Sequence, residues 1–157
     1  MTLDYSSLQK ACRQLETSMA YFESEQSRQD AGLRLQFRSA VIQSFEYTYE
    51  LAIKMIRRQL EQIVANPGEL REINFMDLIR RAFEAGLIMS VPAYKIFQEK
   101  RNMTTHTYDT DKGSRNNNSP EFVPRFGSDW VDLNEQNRRR SKAHVEDFSS
   151  EDRLKMA

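Results

Sequence analysis

Through about the first hundred residues, apolar side chains recur at steps of three and four with polar residues between them. Leu8, Cys12, Leu15, Met19 and Phe22 form the first such stripe. It predicts an amphipathic helix from about Leu3 to Glu25, with Asp4 as N-cap. Cys12, inside that stripe, reads as a small buried hydrophobe rather than a nucleophile. The polar stretch Ser24 to Asp30 breaks the pattern. A longer stripe then runs through Phe37, Val41, Phe45, Tyr49, Ala52, Ile56, Leu60 and Ile63, widened by Leu51 and Met55. It predicts a helix from about Ala31 to Val64, long enough to span a whole bundle, and Pro67-Gly68 ends it.

A third helix is expected from about Asn74 to Leu87. Its inward residues are Met76, Leu78, Ile79, Phe83 and Leu87, and Gly86 is its terminator. Ser90-Val91-Pro92 opens a fourth, in which Tyr94, Ile96 and Phe97 are apolar. No strand-type alternation interrupts these segments. The pattern therefore specifies an all-α protein, an up-and-down antiparallel bundle of four to five helices. After Asp111 the character changes. Gly113-Ser114-Arg115-Asn116-Asn117-Asn118-Ser119-Pro120 is a coil signal, and Arg138-Arg139-Arg140-Ser141-Lys142 is a basic run that reads as a solvated cluster. The expected division is a bundle over residues 1–112 and a disordered tail over 113–157.

Charge narrows the function classes. Lysine plus arginine equals aspartate plus glutamate at 23 each, so no global field draws the chain to a polyanion, and any such binding needs a local patch. A single cysteine excludes an internal disulfide and a cysteine-based zinc site. There is no Walker loop and no metal-ligand cluster, so no metal and no cofactor is expected. Met1-Thr2-Leu3-Asp4 lacks both a basic and an apolar leader region, and no run is apolar enough to cross a membrane. The expectation is a soluble cytoplasmic protein.

The densest chemistry lies in Arg101-Asn102-Met103-Thr104-Thr105-His106-Thr107-Tyr108. At 3.6 residues per turn, Asn102 and His106 share one helix face, and Arg101 and Tyr108 share a neighbouring one. A permanent cation beside a group that titrates near neutrality suits phosphodiester chemistry. A helix C-terminus also attracts Arg and His for its own carbonyls, and Thr104, Thr105 and Thr107 can mark a helix end.

Three collinear blocks carry a resemblance. They are Phe45-Glu46-Tyr47-Thr48-Tyr49-Glu50-Leu51-Ala52 with Lys54, then Ile79-Arg80-Arg81-Ala82-Phe83-Glu84-Ala85-Gly86-Leu87-Ile88, then the octapeptide with Asp109. Over about residues 5 to 112 the chain resembles the nucleotidyltransferase substrate-binding protein family, a branch of the HEPN superfamily that includes HepT-like toxins. The resemblance implies a small helical bundle, usually a homodimer, encoded beside a minimal nucleotidyltransferase. It also implies a metal-independent ribonuclease site across the dimer interface, with Arg101, Asn102 and His106 at the matching positions and RNA as substrate. Tyr108 matches the tyrosine to which the partner nucleotidyltransferase attaches adenylate in some such toxins. The alternative it leaves is a non-catalytic subunit that binds substrate for that enzyme or docks with it. The chain carries no nucleotidyltransferase signature of its own.

In the ribonuclease reading His106 moves protons, Arg101 stabilises the phosphorane oxygens and Asn102 orients the imidazole or the phosphate. One imidazole cannot easily serve as base and acid at once, which favours a two-fold composite site. Tyr108 would stack on a base or cap the core. Tyr47 and Tyr49 read as packing residues. Glu46 and Glu50 read as a polar face that meets a neighbouring subunit or Arg101. Family members usually continue past Lys112 into another amphipathic helix, and here the residues turn to Gly, Ser, Asn and Pro. With permissible codons, the frame displaced by one base can encode leucines at helical spacing there. The tail is thus expected to be a frameshifted terminus or an evolved disordered extension, and the genomic DNA distinguishes the two.

Overall fold

The structure, a computed structural model, describes residues 4–107 and Arg139, with residues 105–107 as backbone only. Its elements are helix α1 (Ser6–Phe22), a short helix α2 (Glu25–Gln29), helix α3 (Ala31–Ile63), a 3₁₀ turn (Pro67–Arg71), helix α4 (Phe75–Glu84) and helix α5 (Val91–Thr107). Among the described residues every element is helical, as the 3.6-residue periodicity requires. The expected tail over 113–157 and the boundary at residue 112 lie outside the described residues, Arg139 excepted.

Helix α3 is the spine. Its 33 residues extend about 50 Å, and every other element packs on it. Cross-helix pairs fix the directions. Tyr5 donates to Gln59 Oε1 at 3.3 Å, Ser18 and Ser44 hydroxyls meet at 3.2 Å, and the Tyr21 and Phe37 rings lie 5.4 Å apart. Numbers that rise on one helix fall on the other, so α1 runs antiparallel to α3. At the far side Arg101 meets Glu50 and Thr104 meets Glu46, so α5 is antiparallel to α3 as well. The three long helices run up, down and up.

The core follows one face of α3. Val41, Phe45, Tyr49, Ala52, Met55, Ile56 and Leu60 are buried there against Leu15, Met19 and Phe22 of α1, Leu78, Ile79 and Ala82 of α4, and Tyr94 and Phe97 of α5. Two buried hydroxyls have partners, as interior polar groups must. Thr48 donates to the Ser44 carbonyl at 2.6 Å, and Ser27 accepts from Arg34 at 3.3 Å. The 3₁₀ turn is tied to α3 by Arg57, which donates to the Leu70 carbonyl.

Several sequence expectations shift by a residue. On α1 the buried position is Ala11, and Cys12 beside it is only half-buried. Asp4 accepts from the Ser6 amide at 2.8 Å, while Tyr5 holds the N-cap position. The polar break holds a helical turn, α2, capped by Ser24, with Ser27 fully buried and Arg34 stacked 4.2 Å from the Phe22 ring. Phe83, expected inside, is 46% exposed. The buried stripe of α4 is centred between Ile79 and Ala82, and at about 100° per residue Phe83 falls beyond its edge. Ile63 and Tyr47, both expected to pack, are exposed as well, Ile63 as the last residue of α3 and Tyr47 on its outer face.

Candidate functional site

The end of α5 is delivered by two local devices. Helix α4 closes in a Schellman motif: the Gly86 amide donates to the Phe83 carbonyl at 3.0 Å and the Leu87 amide to Ala82 at 2.9 Å. Gly86 has φ of 73°, the left-handed conformation that glycine adopts without strain, so the expected terminator is in place. Ser90 then accepts from the Ala93 amide at 3.3 Å and starts α5, with Pro92 in the first turn, where its missing N–H costs nothing.

Along α5 the inward stripe reads Tyr94, Phe97, Arg101, Thr104. Its first half is aromatic: Tyr94 and Phe97 pack edge to face at 6.0 Å and both are buried. One turn later the same stripe becomes a guanidinium and a hydroxyl. Opposite them stand Glu46 and Glu50, one turn apart on α3. Arg101 Nη2 lies 2.7 Å from Glu50 Oε1, with side-chain exposures of 36% and 59%. The single Thr104 hydroxyl proton faces both Glu46 Oε1 at 2.6 Å and the Arg101 carbonyl at 2.8 Å. Two carboxylates four residues apart on one helix repel each other. Here each has found a donor from α5.

Tyr49, between those carboxylates in sequence, is buried and part of the core. Burial pushes its phenol well above the usual tyrosine range, and the nearby Arg101 charge offsets part of that rise. This end of the seam therefore changes from apolar to ionic within one helical turn.

Of the expected site residues, Arg101 is at the seam rim and partly exposed, and Asn102 is exposed on α5. Arg101 is brought to Glu50, one of the two partners expected for that carboxylate. The backbone is helical through Thr107, so His106 stands one turn beyond Asn102 on the same helix face. The His106 side chain and all of Tyr108 lie outside the described residues. Thr104, which the sequence reading gave to helix termination, lies in the last described turn of α5 and also reaches across to α3. Its tendency to bond back to the carbonyl of the preceding turn was the available signal for this role. Among the described residues no group of three His, Cys, Asp or Glu side chains can hold a metal ion. None of the described helices is long and apolar enough to cross a membrane.

Comparisons with known proteins agree with this architecture. A family model described as nucleotidyltransferase substrate binding protein like matches residues 3–138. The probable ribonuclease HepT of Haemophilus influenzae is 39% identical over 74 residues, which are 47% of this chain and 51% of that protein. The aligned part thus spans about half the length of that curated relative. A Haemophilus influenzae structure, described as revealing the fold of a substrate binding domain of a nucleotidyltransferase, is 28% identical with a TM-score of 0.71. That match covers 86% of this chain and 99% of the other. With the family model spanning most of its length, this helical chain belongs to the nucleotidyltransferase substrate binding protein like family.

Proposed function

We propose that this protein is the helical partner subunit of a minimal nucleotidyltransferase, and that Arg101, Asn102 and His106 form a metal-independent ribonuclease centre completed by a second copy of the chain. The observation that carries this reading is the position of Arg101. A core stripe is ordinarily apolar throughout, and this one turns to a guanidinium at the solvent edge, next in sequence to the exposed Asn102. The likeness to a probable ribonuclease supports the same assignment.

In that reaction the RNA 2′-oxygen attacks its own phosphorus and the bond to the 5′-oxygen breaks, leaving a 2′,3′-cyclic phosphate. His106 takes the 2′-proton, and His106 of the second copy protonates the departing 5′-oxygen. An imidazole titrating near 6.5 can do either at neutral pH, for about 10²–10⁴-fold in rate. Arg101 offers the phosphorane a planar fork of donors, as oxyanion stabilisation requires. Adenylate attached to Tyr108 by the partner enzyme would add a bulky anion close in sequence to Arg101 and His106 and silence the site. The protein would then be the toxin of a cytoplasmic toxin–antitoxin pair.

The test is growth on induced expression together with cleavage of RNA by purified protein in the presence of a chelator. Parent protein is expected to stop growth and cut RNA, and His106→Ala and Arg101→Ala to do neither. Equal toxicity and cleavage by His106→Ala would overturn the ribonuclease assignment.

One observation favours a second reading. The Arg101 guanidinium is already bonded to a carboxylate, as befits a docking or substrate-binding subunit whose bundle end is a recognition surface. On that reading co-purification with the nucleotidyltransferase survives His106→Ala, and neither protein cuts RNA.

A further inference from the structure

The Glu50–Arg101 pair joins the acidic face of α3 to Arg101, the candidate phosphate ligand in the C-terminal half of α5. Building on the ribonuclease reading, in which Arg101 receives an RNA phosphate, we infer that Glu50 is a built-in competitor for that phosphate. Substrate binding at this end of the seam is an exchange of one anion for another on the same guanidinium.

Three features support the exchange. The contact is a charge-assisted hydrogen bond of 2.7 Å, and carboxylate and phosphate oxygens ask the same geometry of an arginine fork. Glu50 is 59% exposed and Arg101 36% exposed in their side chains, so water and salt keep the pair weak enough to be displaced. Lastly, a displaced Glu50 has somewhere to go. Lys54 stands one turn further along α3 and is exposed, and a glutamate four residues before a lysine is the favourable order for a helical ion pair. Meanwhile Thr104 remains bonded to Glu46 at 2.6 Å, so α5 keeps its place on α3 while Arg101 changes partner.

The consequence is selectivity for polyanions. A lone small anion must outcompete a carboxylate tethered within reach of the same guanidinium. A strand of RNA offers a high local density of phosphates and gains entropy by releasing its counterions as they are neutralised. Glu50 thereby sets a threshold that incidental anions do not pass.

The probe is a fluorescent single-stranded oligonucleotide with 2′-O-methyl riboses, which binds without being cut. Its affinity is measured for the full chain, for Glu50→Gln, for Arg101→Gln and for the double variant, with thermal unfolding to verify folding. Cleavage of unmodified RNA is followed in parallel. Glu50→Gln should tighten binding about two- to fivefold, the range open to a surface ion pair. In the Arg101→Gln background the same substitution should change nothing. Binding that stays equal or weakens in Glu50→Gln would overturn the inference. So would a gain that persists without Arg101, since that reports only a lower overall negative charge. The two readings fail separately. An Arg101-dependent gain in binding with no cleavage by the parent keeps the competitor and removes the ribonuclease. Cleavage with no gain removes the competitor alone. Neither binding nor cleavage removes both.

Discussion

The two seams of α3 are built for opposite purposes. On the α1 side, Leu15, Met19 and Phe22 meet Val41 and Phe45, all buried, and the polar contacts there are hydroxyl and amide pairs and the Arg34 guanidinium against Phe22. On the α5 side the contact begins with Tyr94 and Phe97 and ends with Arg101 on Glu50 and Thr104 on Glu46. Apolar burial is non-directional and contributes most of the stability. An exposed ion pair contributes little and is sensitive to salt and to competing ions. The first seam holds the molecule together, and the second can change partners without unfolding it.

The sharpest way to break this contrast is Leu15→Ala. Leu15 is 0% exposed, so its truncation should cost about 2–5 kcal/mol in denaturant unfolding. RNA affinity per folded molecule should not change. A smaller loss than that seen for any substitution on the α5 side would invert the assignment of roles.

A second probe is alkaline pH, read at Tyr49 where the two seams meet. Its folded pKa is raised above 10.0 by burial. The stability this withholds is therefore intact below pH 10 and lost as pH rises from there towards the folded value, because only the unfolded chain ionises. Each unit above that point costs about 1.4 kcal/mol. Tyr49→Phe should flatten this part of the profile, and identical alkaline melting of both proteins would count against a phenol held neutral by burial.

Smaller still is the effect expected at the turn that delivers α5. In Gly86→Ala the new methyl meets nothing within 4 Å, but φ is +73°. The cost should be about 1 kcal/mol and purely conformational. A much larger loss would mean that the α4–α5 connection repacks.

Smallest is Thr104→Val. Removing the donor to a partly exposed Glu46 should shift unfolding by less than about 1 kcal/mol. A loss comparable to Leu15→Ala would show the ionic seam to be a second core.

Much of the helical layout was legible from the order of residues. The long helix ends within a residue of its expected limits, Ala31–Ile63 against Ala31 to Val64, because a sustained stripe and a Pro-Gly stop are both local signals. Asn74, Gly86 and Ser90 act as the punctuation their types suggest. Phe83 and Cys12 were misplaced for one reason: periodicity locates a face to within a residue or so, and neighbours decide which edge of it is covered. Helix α2 was illegible because its five residues bury one serine and no apolar side chain.

At the site, residue types and spacing alone singled out Arg101, Asn102 and His106 as chemistry-bearing and set Asn102 and His106 on one helix face, since that follows from helical geometry and ionisation. They also marked Glu46 and Glu50 as an acidic pair without deciding their partner. The burial of Tyr49 followed from its place in the apolar stripe, but that Glu50 takes Arg101 and Glu46 takes Thr104 was decided only by the antiparallel docking of α5 on α3. Which side chains meet across two helices depends on their relative register and rotation, and no local pattern within either helix contains that information.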